Sequence, residues 1–308
     1  MKLCLAAVFV LGGLLLPGYV MASREVIPPP MPPRSLTRDA THPPGETLEL
    51  TAAGVAFTLY LPVGWEKAIL KDPALTVNFH TSAWVGIQQH NSRGLEVPLA
   101  SIYLGQGSVV YARPFLEESA FQRILAAIEQ EMRQRGAPGG FHFRWVDISS
   151  FSAGYGSVRE LAKQKSAFRM MRRVVLADSL YGGLDEEALK EGRRVTAQSS
   201  IDPWLPLARE AAEGRKTFVI TVSEVETPTY ASSWEVAEEI VRQMGLEMIT
   251  PAPSIWPATQ EGTFPLLRVA RRNGLQIWFY GGKDAAAHTT HPRHLGQIWK
   301  SLDAGGLK

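Results

Sequence analysis

Ser152 stands in the run Ser149-Ser150-Phe151-Ser152-Ala153-Gly154-Tyr155-Gly156. Before it, Trp145-Val146-Asp147-Ile148-Ser149 reads as a strand; after it, Val158, Leu161 and Ala162 continue as a helix. A serine at the apex of so tight a strand–turn–helix holds its hydroxyl clear of the sheet, close to the positive end of the helix. The turn requires small residues two before and two after the serine, and here they are Ser150 and Gly154. Ser149 still belongs to the strand and Ser157 is already one turn into the helix, which leaves Ser152 as the candidate nucleophile. To act, it needs a base for its proton, an acid to orient that base, and backbone N–H groups for the oxyanion that forms on the substrate.

The base is expected in Gly281-Gly282-Lys283-Asp284-Ala285-Ala286-Ala287-His288-Thr289-Thr290-His291-Pro292-Arg293-His294, between the last strand and the last helix. Pro292 suits the first turn of that helix, which would put His291 at its N-cap and His294 inside it. His288 is then the loop histidine best placed as base, with His291 the alternative. The three histidines lack the acidic partner of known zinc signatures, so they are not read as a metal site. Asp178, in Leu176-Ala177-Asp178-Ser179, adjoins the nucleophile strand and is the expected acid; Glu224, after Phe218-Val219-Ile220-Thr221-Val222, is the alternative. The Ala153 N–H would be one oxyanion donor, and Thr81 or Ser82, after Leu75-Thr76-Val77-Asn78-Phe79-His80, the other. His80 itself is read as structural.

These residues need strands to carry them. Val55–Leu61, Leu75–His80, Leu99–Leu104, Trp145–Ser149, Val174–Ala177, Phe218–Val222 and Leu275–Tyr280 are continuous apolar runs. Leu48–Leu50 and Leu266–Val269 pair as hairpin partners, the second through Asn273-Gly274. Helices intervene: Phe121, Ile124, Leu125, Ile128 and Met132 form one stripe, stopped by Gly136, and Val236, Ile240 and Met244 form another, capped by Ser232 with Glu235 and ended by Gly245. Apolar strands alternating with helices predict a mostly parallel sheet of about eight main strands with helices on both faces, its chemistry at the carboxyl strand ends. The stretch Leu180–Arg215, with Trp204 between Pro203 and Pro206, reads as either a short lid or a helical crossover, and Trp84, Tyr155, Tyr181 and Trp204 as candidate cleft aromatics.

Composition narrows the function classes. With 45% hydrophobic and 20% charged residues in 308, a large packed core is affordable and wholesale disorder is excluded. A formal charge of +2 gives no electrostatic case for nucleic acid. The single cysteine, Cys4, excludes a disulfide scaffold and a cysteine metal site.

Lys2, the apolar run Leu3–Leu16 and then Val20-Met21-Ala22 form a charged start, a short hydrophobic core and a cleavage pattern, so residues 1–22 are expected to be a signal peptide cut after Ala22. The run is shorter than the ~20 residues that span a bilayer, so no stable membrane span is expected after cleavage. The mature protein would then be secreted or periplasmic. Residues 23–46, with Pro28, Pro29, Pro30, Pro32, Pro33, Pro43 and Pro44, read as an extended linker, and 47–308 as one domain.

With the elbow around Ser152, the His80-Thr81 loop, an acid after a later strand and His288 before the last helix, residues 47–306 resemble the α/β-hydrolase superfamily, and the order Ser, acid, His is that family's chain order. The Ser149–Gly156 run, with Ala177-Asp178-Ser179, is similar to a poorly characterised bacterial branch of exported hydrolase-like proteins. Two positions depart from the family pattern: Ser150 replaces its first glycine, and Thr81 stands where glycine is commonest after His80. The resemblance implies an α/β-hydrolase fold and an acyl-enzyme mechanism without a cofactor: Ser152 attacks an ester or amide carbonyl and His288 shuttles the proton. A serine carboxylesterase acting on a small molecule is the expected function; a cell-envelope amidase or peptidase, or a non-catalytic binding protein that kept the fold, are the alternatives.

Overall fold

The computed structural model describes residues 26–31, 43–251 and 263–305; the expected cleavage site after Ala22 lies outside them. β1 (Gly45–Ala52) and β2 (Val55–Pro62) form an antiparallel hairpin that turns through Ala53 and Gly54, both at positive φ (52° and 74°). That mirror-image two-residue turn follows the natural twist of the strands. α1 (Trp65–Lys71), β3 (Ala74–Phe79), α2 (Ala83–Arg93), β4 (Leu99–Ile102), α3 (Ser108–Ala112) and α4 (Ala120–Gln134) follow. Gly136, at φ 108°, ends the α4 segment as its sequence suggested.

Next come β5 (Trp145–Phe151), α5 (Tyr155–Lys163), α6 (Lys165–Met170) and β6 (Met171–Ala177). α7 (Glu186–Lys190), α8 (Gln198–Ile201) and α9 (Leu205–Ala212) lead to β7 (Thr217–Val222) and α10 (Ser233–Gln243), which carries the Ser232–Glu235 capping box. The chain ends with β8 (Met248–Ile249), β9 (Leu266–Arg272), β10 (Leu275–Tyr280), α11 (Ala285–Arg293) and α12 (Leu295–Ala304).

Among the described residues the sheet has ten strands in the order β1-β2-β4-β3-β5-β6-β7-β10-β9-β8. The six from β4 to β10 pair in parallel, and antiparallel strands flank them. The expected count of eight is low because β9 is a full strand and β8 adds two residues at the edge. Alternation along the central strands makes two cores. Val174, Leu176, Phe218, Ile220, Ile277 and Phe279 pack toward the α4, α5, α9 and α10 side; Val175, Ala177, Val219, Trp278 and Tyr280 pack toward α12. A sheet buried on both faces has no polar side, which is why these strands read as apolar runs.

Three expectations change. Residues 26–31 of the proline-rich stretch are not a free linker. Val26 and Met31 are buried against Trp278, Tyr280 and Trp299, the Tyr280 hydroxyl donates to the Pro29 carbonyl at 2.7 Å, and Met31 bridges Phe264. Trp204 is fully buried and stacked on Phe218, so the 180–215 stretch is a crossover and this tryptophan is no lid. Finally, Pro292 does not begin a helix. Asp284 caps α11 by accepting from the Ala287 N–H at 2.9 Å, and Pro292 sits in the last turn, just before the chain breaks at His294 into α12.

At the amino ends of the parallel strands lies a buried ion network. Asp147 on β5 accepts from Arg172 (3.0 Å to each oxygen) and Arg173 (3.1 Å), with Arg93 at 3.7 Å. Asp303 on α12 accepts from Arg93 (3.1 Å) and Arg173 (2.6 Å), and Arg93 lies over the Trp299 ring. Asp147→Asn would remove the buried negative charge that three guanidinium groups face and leave them only the partly exposed Asp303 and Asp72, so it should cost ~3–5 kcal/mol in a urea melt. Acid should weaken the fold separately. Burial pushes His90 and His291 down from 6.5 to about 4. Between those pH values the unfolded chain binds more protons, so stability falls as pH drops through that window and is flat above it. Thermal melts from pH 7.5 to 4 should show the decline, amounting to a few kcal/mol for the two residues together.

Candidate active site

Three adjacent parallel strands end in the same unusual way. The residue directly after β3, β5 and β6 is His80, Ser152 and Asp178, and each is a non-glycine at positive φ (66°, 46° and 45°). The register pairs Phe79 with Ser150 and Phe151 with Ala177, so the three breaks lie along one edge of the sheet. A left-handed residue that is not glycine costs ~1–2 kcal/mol, and here each is held by hydrogen bonding or packing.

At Ser152 the turn is short because Gly154 lets β5 and β3 approach: a Cβ there would lie 2.9 Å from the Phe79 carbonyl oxygen and 3.1 Å from His80 Cβ. Ser150 fills the place of the motif's first glycine without strain, since the positive φ falls on Ser152 instead. Its hydroxyl meets the Ser179 hydroxyl at 2.8 Å, and Ser179 donates to the Ser152 carbonyl at 2.8 Å. The departure at Ser150 thus becomes part of a clamp on the elbow.

Asp178 is 1% exposed. Its N–H donates to the Thr221 carbonyl at 2.8 Å. Its Oδ2 accepts from Ser223 Oγ at 2.5 Å and from His288 Nδ1 at 2.8 Å, and its Oδ1 from the Ser223 N–H at 3.2 Å. Burial works against the charge, but the hydrogen bond from His288, the nearby His291 and the Ser223 hydroxyl outweigh it and hold the carboxyl below the usual carboxylate range. With Nδ1 committed to Asp178, His288 keeps Nε2 as its basic nitrogen. The imidazole is backed by Phe151, at 4.5 Å between ring centroids, and Phe151 stacks on His80, which stacks on Tyr103. His80 Nδ1 meets the Tyr111 hydroxyl at 2.8 Å, and burial and then the neighbouring His288 lower its pKa, so it is a neutral member of this column.

Ser152, Ala153 and His288 line one cavity of about 680 Å³, with Tyr155, Tyr181, Gly182, Gly183, Tyr230 and the Val225–Pro228 stretch. Thr81 and Ser82 are not among its lining residues. Thr81 turns inward, where Asn78 Nδ2 donates to its hydroxyl, and Ser82 is the N-cap residue of α2. The wall is formed instead by Gln106-Gly107-Ser108, after β4. That loop reaches the cavity because α3 seats tightly on α5 at Gly156, where a Cβ would meet the Ser108 carbonyl oxygen at 2.2 Å. Gly105 and Gly107, both at positive φ, were the sequence signal for such a loop.

His291, the alternative base, is fully buried with Nδ1 2.7 Å from Thr221 Oγ1, and it does not line the cavity. Glu224, the alternative acid, accepts from the Gly282 N–H at 3.0 Å and so anchors the loop that leads to α11. Among the candidate cleft aromatics Tyr155 and Tyr181 line the cavity, whereas Trp84 and Trp204 do not. Ser179, Ser223, Phe151 and Tyr230 are site residues that sequence reasoning missed. Among the described residues no group of three or more His, Cys, Asp or Glu is placed to hold a metal ion, and His288, His291 and His294 face different partners.

A strand–turn–helix serine, an acid at the next parallel strand's end and a histidine after the last strand, in that chain order on a helix-flanked sheet, make this an α/β-hydrolase fold. No protein-family model and no curated protein matches the chain. Solved structures similar to it include a Pyrobaculum calidifontis esterase (10% identity, covering 87% of each chain, TM-score 0.48). A feruloyl esterase module from Clostridium thermocellum has 10% identity over 90% of this chain and 95% of that one, with a TM-score of 0.46. A Bacillus subtilis carboxylesterase has 8% identity over 82% and 89%, with a TM-score of 0.42.

The two histidines separate experimentally. If the cavity supports Ser152-dependent turnover with His288 as its base, His288→Ala should lower it by roughly 10²–10⁴-fold. His291→Ala should instead lower stability by ~1–3 kcal/mol, through the lost Thr221 contact and the void, with turnover changed far less. Paired kinetics and melts of the two variants check this.

Proposed function

We propose that this chain is an exported serine hydrolase of the carboxylesterase type, working through an acyl-enzyme on Ser152. One observation carries the reading: Ser152, at φ 46° on a strand-to-helix turn, opens into the same cavity as His288, whose Nδ1 lies 2.8 Å from a buried Asp178. Export rests on the residue 1–22 pattern.

In this mechanism the Ser152 hydroxyl adds to the substrate carbonyl carbon while His288 Nε2 takes its proton. Asp178 holds the imidazole in the needed tautomer and stabilises the imidazolium. The oxyanion meets the N–H of Ala153, the residue after the nucleophile. Collapse expels the alcohol, which leaves with the proton from His288. Water then repeats the sequence on the acyl-Ser152 ester and releases the acid. The strained Ser152 backbone favours this step structurally, because the hydroxyl is already presented and need not reorganise.

The test is labelling with a fluorophosphonate probe and turnover on a panel of p-nitrophenyl esters. Wild type should label once per chain at Ser152. Ser152→Ala should abolish labelling and lower turnover by on the order of 10⁴-fold or more, with stability within about 1 kcal/mol of wild type. A wild type that neither labels nor turns over any ester or amide would favour the non-catalytic reading.

A further inference from the structure

The acid's position at the end of β6 changes what the loop after β7 is free to do. Of its two carboxylates, Glu224 is tied to the Gly282 N–H. Glu226 is exposed and, among the described residues, makes no hydrogen bond and no ion pair within 4 Å; Arg194 acts on it only at longer range. It lines the catalytic cavity, and no lysine or arginine lines that cavity with it. Three aromatic rings do. Tyr181 is packed edge-on against Tyr230 at 5.6 Å and tilted against Tyr155 at 5.9 Å. Burial and the nearby Asp178 charge raise the pKa of Tyr181, so it stays a neutral, electron-rich ring.

We propose that this carboxylate and the Tyr181 and Tyr230 rings form a subsite for a cationic group, so that the preferred substrates are esters or amides of ammonium-bearing compounds. An aromatic face attracts a cation through its quadrupole, and a carboxylate beside it supplies the opposite charge. The subsite is also held ready. Arg194 donates to the Thr227, Pro228 and Tyr230 carbonyls (2.6, 3.3 and 2.5 Å) and pairs with Glu235, so its charge is spent on fixing the loop from behind. Glu226, Thr227 and Pro228 form a rim shared with a second cavity of about 740 Å³, which Arg194, Glu224, Glu235 and Lys283 also line. The lysine therefore sits past the rim and not among the groups lining the space beside Ser152.

The inference rests on the serine hydrolase reading, and matched ligands separate the two. Acetylcholine and 3,3-dimethylbutyl acetate differ by a quaternary nitrogen in place of carbon. Wild type should favour the cation by roughly tenfold or more in kcat/KM, and Glu226→Gln should bring the ratio close to one. A wild-type ratio near one, or a ratio that Glu226→Gln leaves unchanged, overturns the subsite while leaving a Ser152-dependent esterase intact. A second arm needs no chemistry: NMR titration of choline and of 3,3-dimethylbutan-1-ol into the Ser152→Ala protein. Choline should bind roughly tenfold more tightly, and the further change Glu226→Gln should remove the difference. Equal affinities overturn the subsite whatever the catalytic result; a clear preference for choline in a protein that hydrolyses nothing supports the subsite and overturns the hydrolase.

Discussion

A carboxylate buried at the end of a parallel sheet stays charged only if protein donors replace its water, and Asp178 imposes that condition on everything around it. Four donor or anchor contacts meet it: the Ser223 hydroxyl and N–H, the His288 imidazole, and the Thr221 carbonyl that fixes its own N–H. Three of them come from Thr221 and Ser223 at the end of β7, and the fourth from His288 on α11. Ser223 must follow β7 directly, and His288 must stand at one height on α11. That height is set by the Asp284 cap and by Glu224 holding Gly282. The geometry of the proposed base thus follows from keeping one buried charge satisfied.

The same economy runs along the rest of the edge. Ser150, Ser179 and the Ser152 carbonyl form one hydrogen-bonded chain, so the loop that carries Asp178 also clamps the elbow that carries Ser152. His80 stacks on Phe151, which packs tilted against His288, so the β3 and β5 ends brace the imidazole. Three left-handed residues in a row would be a cost of a few kcal/mol in isolation. Here the contacts that offset it are those that orient the proposed nucleophile, acid and base.

What the sequence made legible was whatever depends on local pattern. Apolar runs gave the strands, the Ser232–Glu235 spacing gave the α10 cap, and small residues around Ser152 gave the elbow. Side chains whose meaning depends on distant partners were not legible. Thr81 follows a strand, but that Asn78 would donate to its hydroxyl, and that Gly156 would admit the β4 loop to the cavity wall, depends on partners its neighbours do not announce. Pro292 looked like a helix start because Pro fits a first turn; the stronger signal was the Asp284 cap eight residues earlier. Trp204 between two prolines looked exposed, yet Phe218 across the chain gives its ring a place in the core. Residues 26–31 have the composition of a linker, and only Tyr280 and Trp278, more than two hundred residues away, reveal a docked segment.

The amino ends of the parallel strands fix the register on which the proposed site depends. Asp147 lies near the start of β5 and Ser152 directly follows its end; the first is locked to Arg93, Arg172 and Arg173 while the second lines the cavity. The arginine cluster draws α2, α12, β5 and β6 onto one buried charge, with Asp72 after α1 joining through Arg172. Such a network adds little net stability over an apolar core, because its desolvation is large. Its value here is register. Arg173 sits opposite Asp147 in the β5–β6 ladder, and four residues further along the same ladder Phe151 pairs with Ala177. A one-residue slip of β6 would break the ion cluster at one end and carry Asp178 away from Ser152 and His288 at the other. The charged end therefore fixes the alignment on which the hydrogen bonds of the reactive end depend.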